Sequence, residues 1–173
     1  MQSHFKLWLS ATRPEPLISN ARQVHMPIHT QHAEYEISTD SERLDVNVIH
    51  AFLTQSYWSP EISRSVVERA INNSLCFGLY HNAEQVGFAR VVTDKATFAY
   101  LADVFILEAH RGKGLSKCLM QAVMAHVDLQ GLRRFMLGTR DAHGLYKQFE
   151  FSELAYPSRM MEILKPDVYR QAL

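Results

Sequence analysis

The chain has 173 residues, a length that fits one domain. Hydrophobic residues make up 47% and charged residues 21%, the balance of a globular protein rather than a disordered or fibrous one. Lys plus Arg equals Asp plus Glu at 18 each, so there is no basic footprint for nucleic acid. No apolar run approaches the ~18 residues of a membrane span, and the apolar start is interrupted by Lys6. Two cysteines, Cys76 and Cys118, lack metal-type spacing and read as free thiols, which points to a reducing, cytoplasmic setting.

Residues 1–33 hold Pro14, Pro16 and Pro27 and no clean periodicity, and are expected to form an irregular arm. His25, His29 and His32 lie close together there. No cysteine or carboxylate completes a site nearby, so no metal is predicted. Residues 34–173 are expected to form a single domain. The stretch 34–38 alternates and predicts a strand. In 41–56, Ser41 is a candidate N-cap, and Leu44, Val48, Ala51 and Phe52 recur at helical spacing. A second helix is predicted from Ser59 as cap and Pro60 as first residue, with Ile62, Val66, Val67, Ala70 and Ile71 as its stripe.

Residues 75–107 predict three consecutive strands joined by "HNAEQ" and "TDKAT". In the third, strict alternation puts Tyr100, Ala102, Val104 and Ile106 on one face and Leu101, Asp103, Phe105 and Leu107 on the other. A helix carrying Leu115, Leu119, Ala122, Val123 and Val127 follows. Then come a strand at 133–139, a short helix around "DAHGLYKQF", and two closing strands, "EFSEL" and "SRMMEIL". The order predicts an α/β fold with a mixed sheet of six or seven strands and helices on both faces. The sheet should be mostly antiparallel at first and then cross over.

Between the third strand and its helix lies "RGKGLS", residues 111–116. The first N–H groups of a helix lack internal partners and sit at the positive end of its dipole. Gly112 and Gly114 allow close backbone approach, and Arg111, Lys113 and Lys117 add positive charge. A pyrophosphate suits such a loop; a tight turn with solvated basic residues is the plainer reading.

The loop resembles the signature of the GCN5-related N-acetyltransferase (GNAT) family: Gln or Arg, two residues, Gly, one residue, Gly or Ala. Arg111 and Gly114 match, and Ser116 stands where Gly or Ala is usual. "HGLYKQFEF" is similar to a second family segment, with Tyr146 and Phe151 matching and Glu150 in the usual place of a glycine. The likeness spans about 35–164, and it implies that strand 98–107 runs parallel to strand 133–139 and splays from it at the carboxyl end. It implies that acetyl-CoA is bound, its pantetheine arm along Val104, Phe105 and Ile106 and its pyrophosphate on Arg111, Gly112, Lys113, Gly114, Leu115 and Ser116. It also implies that Tyr146 protonates the departing thiolate.

The function so implied is transfer of an acetyl group to a primary amine, of a small molecule or a peptide, by direct attack in a ternary complex. A non-catalytic acyl-CoA-binding module of the same fold is the alternative. Direct attack needs a base, an oxyanion donor and an acid, but no covalent nucleophile. Asp103, between apolar neighbours, is a candidate base, with an ordinary ion pair to Arg90 as its rival role. His143 is a second candidate base. Tyr57 and Trp58 are expected to wall the acceptor site, and Arg90 to meet an acidic acceptor. No nucleic acid or membrane partner is expected, and the protein should be a monomer or homodimer.

Overall fold

The sheet follows chain order: short turns join the second strand to the third and the third to the fourth, while helical connections join the first to the second and the fourth to the fifth. The computed structural model describes residues 34–170, so the arm and its three histidines lie outside the described residues. Strands β1 (Tyr35–Ser38), β2 (Leu75–His81), β3 (Glu84–Thr93) and β4 (Phe98–Ile106) pair antiparallel, each with the next. The β2–β3 turn is Asn82-Ala83, both at positive φ, a two-residue connection whose twist matches the strands. Asp94 shapes the β3–β4 turn by accepting from the N–H groups of Ala96, Thr97 and Phe98. Strand β5 (Arg134–Leu137) adds parallel to β4 after a helical crossover.

The sheet among the described residues therefore has five strands in the order β1-β2-β3-β4-β5. The expected six or seven are not reached, because neither "EFSEL" nor "SRMMEIL" forms a strand. Glu150 turns the chain in the left-handed region (φ 66°), and the 3-10 turn Pro157–Arg159 interrupts the rest. The splay is present. The β4–β5 ladder runs only from Phe98/Arg134 to Leu101/Leu137, and Ala102–Ile106 continue without β5.

Helices α1 (Val46–Leu53) and α2 (Arg64–Asn72) cover one face of the sheet, and α3 (Leu115–Ala125) the other. The first helix is split from its expected start: a 3-10 turn occupies Ser41–Arg43, and α1 begins after Asp45, whose carboxylate accepts from the N–H groups of Asn47 and Val48. The second starts later than expected, after Ser63; Ser59 is buried and bonded to Ser56 and the Leu53 carbonyl. On the α3 side, Leu119 and Val123 pack on Leu79, Val91 and Leu101. On the other, Ile49, Leu53 and Val67 pack on Phe88 and Phe105. Burial of each such side chain contributes on the order of 2 kcal/mol.

Strict alternation along β4 fails at one place. Phe88 pairs with Phe105 and Arg90 with Ala102, so Ala89 faces two residues, Asp103 and Val104. This is a β-bulge, with Asp103 at φ 54°. It shifts the pleat by one residue. Leu101 therefore shares the α3 face with Val104 and Ile106, while Phe105 turns to α1, stacked on Phe52 at 3.9 Å.

Candidate active site

Past Leu101, β4 has no strand neighbour on its β5 side among the described residues, so its backbone groups there face a cleft. The Leu107 N–H reaches the Val86 carbonyl, which orients the odd positions toward β3. Backbone groups alternate along a strand, so those of Val104 and Ile106 face the cleft and those of Phe105 do not. Phe105 enters the site only through its ring. The Ile106 carbonyl is taken by Arg111 Nε at 2.9 Å, leaving the Ile106 N–H and both groups of Val104 toward the opening.

The loop after β4 carries the chain into α3 through two left-handed glycines, Gly112 at φ 76° and Gly114 at φ 74°. An added Cβ at either would meet nothing in the protein; the demand for glycine is conformational. No side chain caps α3, so its first N–H groups point into the opening with the positive end of the helix dipole. Arg111, Gly112, Gly114, Leu115 and Ser116 line a cavity of about 450 Å³ together with Val104, Phe105 and Ile106. Lys113 does not join them. Its Nζ donates to the Tyr35 hydroxyl at 3.0 Å, on the far side of the loop. His110, bonded to the same hydroxyl at 2.9 Å, does line the cavity.

A second cavity, of about 500 Å³, opens on the other side of β4, over α1 and α2. Arg90 and Asp103 line it, joined by a 2.6 Å ion pair in which the side chains are only 17% and 11% exposed. Trp58 Nε1 donates to the other Asp103 oxygen at 3.1 Å. Tyr57 accepts from the Arg140 N–H at 3.2 Å and lies under its guanidinium at 3.8 Å. The loop between α1 and α2 is thus tied both to β4 and to the loop after β5. The exposed apolar rings this requires, 45% for Tyr57 and 40% for Trp58, form a roof rather than core.

The two cavities share Tyr57, Trp58, Val104, Asp141, Ala142 and Tyr146. Tyr146 closes α4 (His143–Tyr146). It is half-buried, and burial pushes its hydroxyl up to about 12, helped by nearby Tyr57 and Asp141. His143 is exposed and lines neither cavity. Cys76 is buried, its thiol likewise pushed up to about 12 by burial, and Cys118 is half-buried; neither lines either of these two cavities. Among the described residues no cluster of three His, Cys, Asp or Glu side chains has metal-binding geometry, and no helix is long and apolar enough to cross a membrane.

Sequence reasoning missed Asp141 and Tyr169. Asp141 opens the segment predicted as a short helix, yet it follows β5, beyond the carboxyl end of a parallel strand, the place where open α/β sheets bind ligands. Tyr169 lies in the tail and reaches the second cavity through the tertiary fold alone.

A cavity at a helix start and a second one beyond the same strand, meeting at one tyrosine, suit a group-transfer enzyme that holds two substrates at once. The chain belongs to the GNAT family of acetyltransferases, whose pattern matches residues 39–151. It is similar, at 34% identity over 143 residues (69% of this chain, 80% of the relative), to a protein of Gibberella zeae named as an acetyltransferase. A crystal structure from Xanthomonas campestris pv. campestris, of a protein described as belonging to the GNAT family, is 53% identical. It covers 78% of this chain and 96% of its own, with a TM-score of 0.77. A Clostridium acetobutylicum structure described with acetyl-CoA shares the fold at 14% identity, covering 75% of this chain and 94% of its own, with a TM-score of 0.57.

Proposed function

We propose that the protein transfers an acetyl group from acetyl-CoA to a primary amine of a small molecule or peptide, with both bound at once. The observation that carries this reading is the pair of cavities meeting at Tyr146. The residues lining the first cavity fit acetyl-CoA. The Val104 and Ile106 backbone groups suit an amide-bearing arm, and the uncapped start of α3, with Gly112 and Gly114, suits a pyrophosphate.

In this reading Val104 offers its N–H to the thioester oxygen, which gains charge as the amine nitrogen attacks. The C–S bond then breaks and the thiolate leaves. Tyr146 keeps its own proton: a phenol pushed to about 12 does not ionise in favour of a thiolate whose thiol has a pKa near ~8.5. It acts instead as a hydrogen-bond donor to the developing negative sulfur. Asp103 has one oxygen on Arg90 and the other on Trp58, so it holds and orients the acceptor's amine end, and the amine proton leaves to water at the open mouth. His143 has no part. Arg90, committed to Asp103 and to Ser74 at 3.2 Å, positions that carboxylate rather than meeting an acidic acceptor. Tyr57 and Trp58 roof the acceptor.

Purified protein given acetyl-CoA and panels of amines, amino acids and peptides should release free thiol with at least one acceptor, in step with acetylated product. Tight binding of acetyl-CoA with no thiol release across the panels would sink the reading and leave a binding module.

A further inference from the structure

The cavity over α1 and α2 is walled by aromatic rings that stand partly in water. Tyr57, Trp58 and Tyr100, the last 38% exposed, converge on it, and Tyr169 joins them from the tail. Tyr169 is held there by packing on the cluster of Ile49, Leu53 and Phe88, and its neighbour Arg170 lies 3.5 Å from Glu61. Gly138 leaves room for the Tyr100 ring: a Cβ there would stand 3.2 Å from its hydroxyl oxygen. Exposed apolar surface gathered around one opening marks a binding site. The polar groups narrow what can bind. Both arginines of the cavity are committed, Arg90 to Asp103 and Ser74, and Arg140 to the Tyr57 ring with Asp141 at 3.6 Å. An incoming carboxylate therefore finds no unpaired cation. An ammonium finds Asp103, whose carboxylate has roughly four lone-pair sites and uses two, on Arg90 and Trp58. It also finds ring faces, which attract cations.

We propose that the acceptor is a small monoamine with a flat aromatic body, its ammonium on Asp103 and its ring among Tyr57, Trp58, Tyr100 and Tyr169, and that Tyr100 and Tyr169 select it. The inference deepens the acetyl-transfer reading and rests on its placing of the acceptor in this cavity. About 500 Å³ is the size of a small-ligand pocket. A peptide would lay backbone amides against Leu53, Ile62 and Val66, where they would go unpaired at a cost. A diamine would set its second charge against the same aliphatic wall. A flat ring instead gains from edge and face contacts with the four aromatic side chains and has few torsions to freeze. The transfer balances: the amine nitrogen bonds to the thioester carbon as the C–S bond breaks. Of the ammonium's hydrogens one stays in the amide, one ends on the thiol and one leaves to solvent.

Initial rates of the purified full chain with acetyl-CoA should be compared for phenethylamine, butylamine, diaminobutane, phenylalanine and a tetrapeptide. The kcat/KM for phenethylamine should exceed each of the others by about 10-fold or more. Tyr100→Ala and Tyr169→Ala should each lower the ratio of phenethylamine to butylamine several-fold, through a higher KM for phenethylamine, with circular dichroism confirming that both variants fold. Calorimetric titration of phenethylamine into the CoA-loaded protein reads the site apart from the chemistry. Saturable binding there, stronger than that of butylamine, with no thiol release from any amine would overturn acetyl transfer and support the aromatic-amine site. Turnover of phenylalanine, diaminobutane or the peptide as good as that of phenethylamine would overturn the inference and leave acetyl transfer standing. An unchanged ratio in both tyrosine variants, or neither binding nor turnover of phenethylamine, would overturn it as well.

Discussion

Tyr146 is the residue whose replacement separates chemistry from packing. Tyr146→Phe keeps the ring on Phe151, 6.0 Å away, and removes only the hydroxyl. Acetyl-CoA affinity by calorimetry should stay within a few-fold, while turnover at saturation should fall by about 100-fold. Because burial holds the hydroxyl up to about 12, the wild-type rate should show no alkaline loss near pH ~10, where an ordinary phenol ionises. Weakened binding with a normal rate would make Tyr146 a cofactor contact instead. Glu150 poses the opposite kind of test. It occupies φ 66°, closing the turn in which the Phe151 N–H returns to the Tyr146 carbonyl. A side chain in that region costs ~1–2 kcal/mol, which glycine relieves at some entropic cost in the unfolded chain. Glu150→Gly should therefore raise stability in urea by about 0.5–1 kcal/mol. The turn has the shape a glycine would give it, so this departure from the family pattern carries strain without rerouting the chain.

At the scale of elements, the proposed acetyl-CoA site on the loop between β4 and α3 is made by backbone groups. Gly114→Val forces a β-branched residue into φ 74°, a strain of about 2 kcal/mol, and lifts the first amides of α3 out of position. Acetyl-CoA binding should be lost. Lys113→Ala should weaken it by about 1 kcal/mol or less, because an exposed charge is screened and this ammonium is turned toward Tyr35. Equal losses in calorimetric titration would contradict a backbone-made site. The β4 bulge is the other decisive element. It turns the Asp103 side chain to the cavity over α1 and α2, while the Val104 backbone faces the cavity at the start of α3, so consecutive residues line different cavities. Neither this bulge nor the Arg90–Asp103 distance is legible in "YLADVFIL", where alternation alone predicts a regular strand.

The whole molecule should lose stability in acid in two stages. His126 is buried against Phe77, with its Nδ1 accepting from the Asp128 N–H, and burial lowers its pKa. His110 is lowered too, first by burial and then by Lys113. A histidine with a lowered folded value binds its proton more readily unfolded, so stability is level above pH ~6.5 and falls as pH drops below it. Asp94 is held well below the usual carboxylate range by Thr97 and its turn amides; what it contributes is present above pH ~3.9 and fades as acid protonates it. Melting temperatures followed from pH 8 downward should show the first decline beginning near ~6.5, and His126→Asn, which keeps an acceptor for the Asp128 N–H, should flatten part of it. A midpoint independent of pH down to ~5 would refute the assignment.

Periodicity and turn chemistry, both local, were enough to predict the antiparallel hairpins, the α3 helix, a crossover after it and the basic glycine loop; the parallel direction of β5 came from the family resemblance. Those features depend on neighbours in the chain: alternation for β2 to β4, helical spacing for α3, left-handed glycines for the loop. The helix starts at Asp45 and Ser63 were displaced from Ser41 and Ser59, because which hydroxyl or carboxylate caps a helix depends on what else it can bond, and Ser59 finds the Leu53 carbonyl. The closing strands did not form despite strand-like composition, because a strand needs a partner edge and the chain's path takes 161–164 away from its own. What the tertiary structure alone decided is the meeting of the cavities: Tyr57 and Trp58 come from one loop, Asp103 from a bulge, Asp141 and Tyr146 from beyond β5, and Tyr169 from the tail. Their separations in the sequence carry no period. They are brought together by the packing of the helices and loops on the sheet.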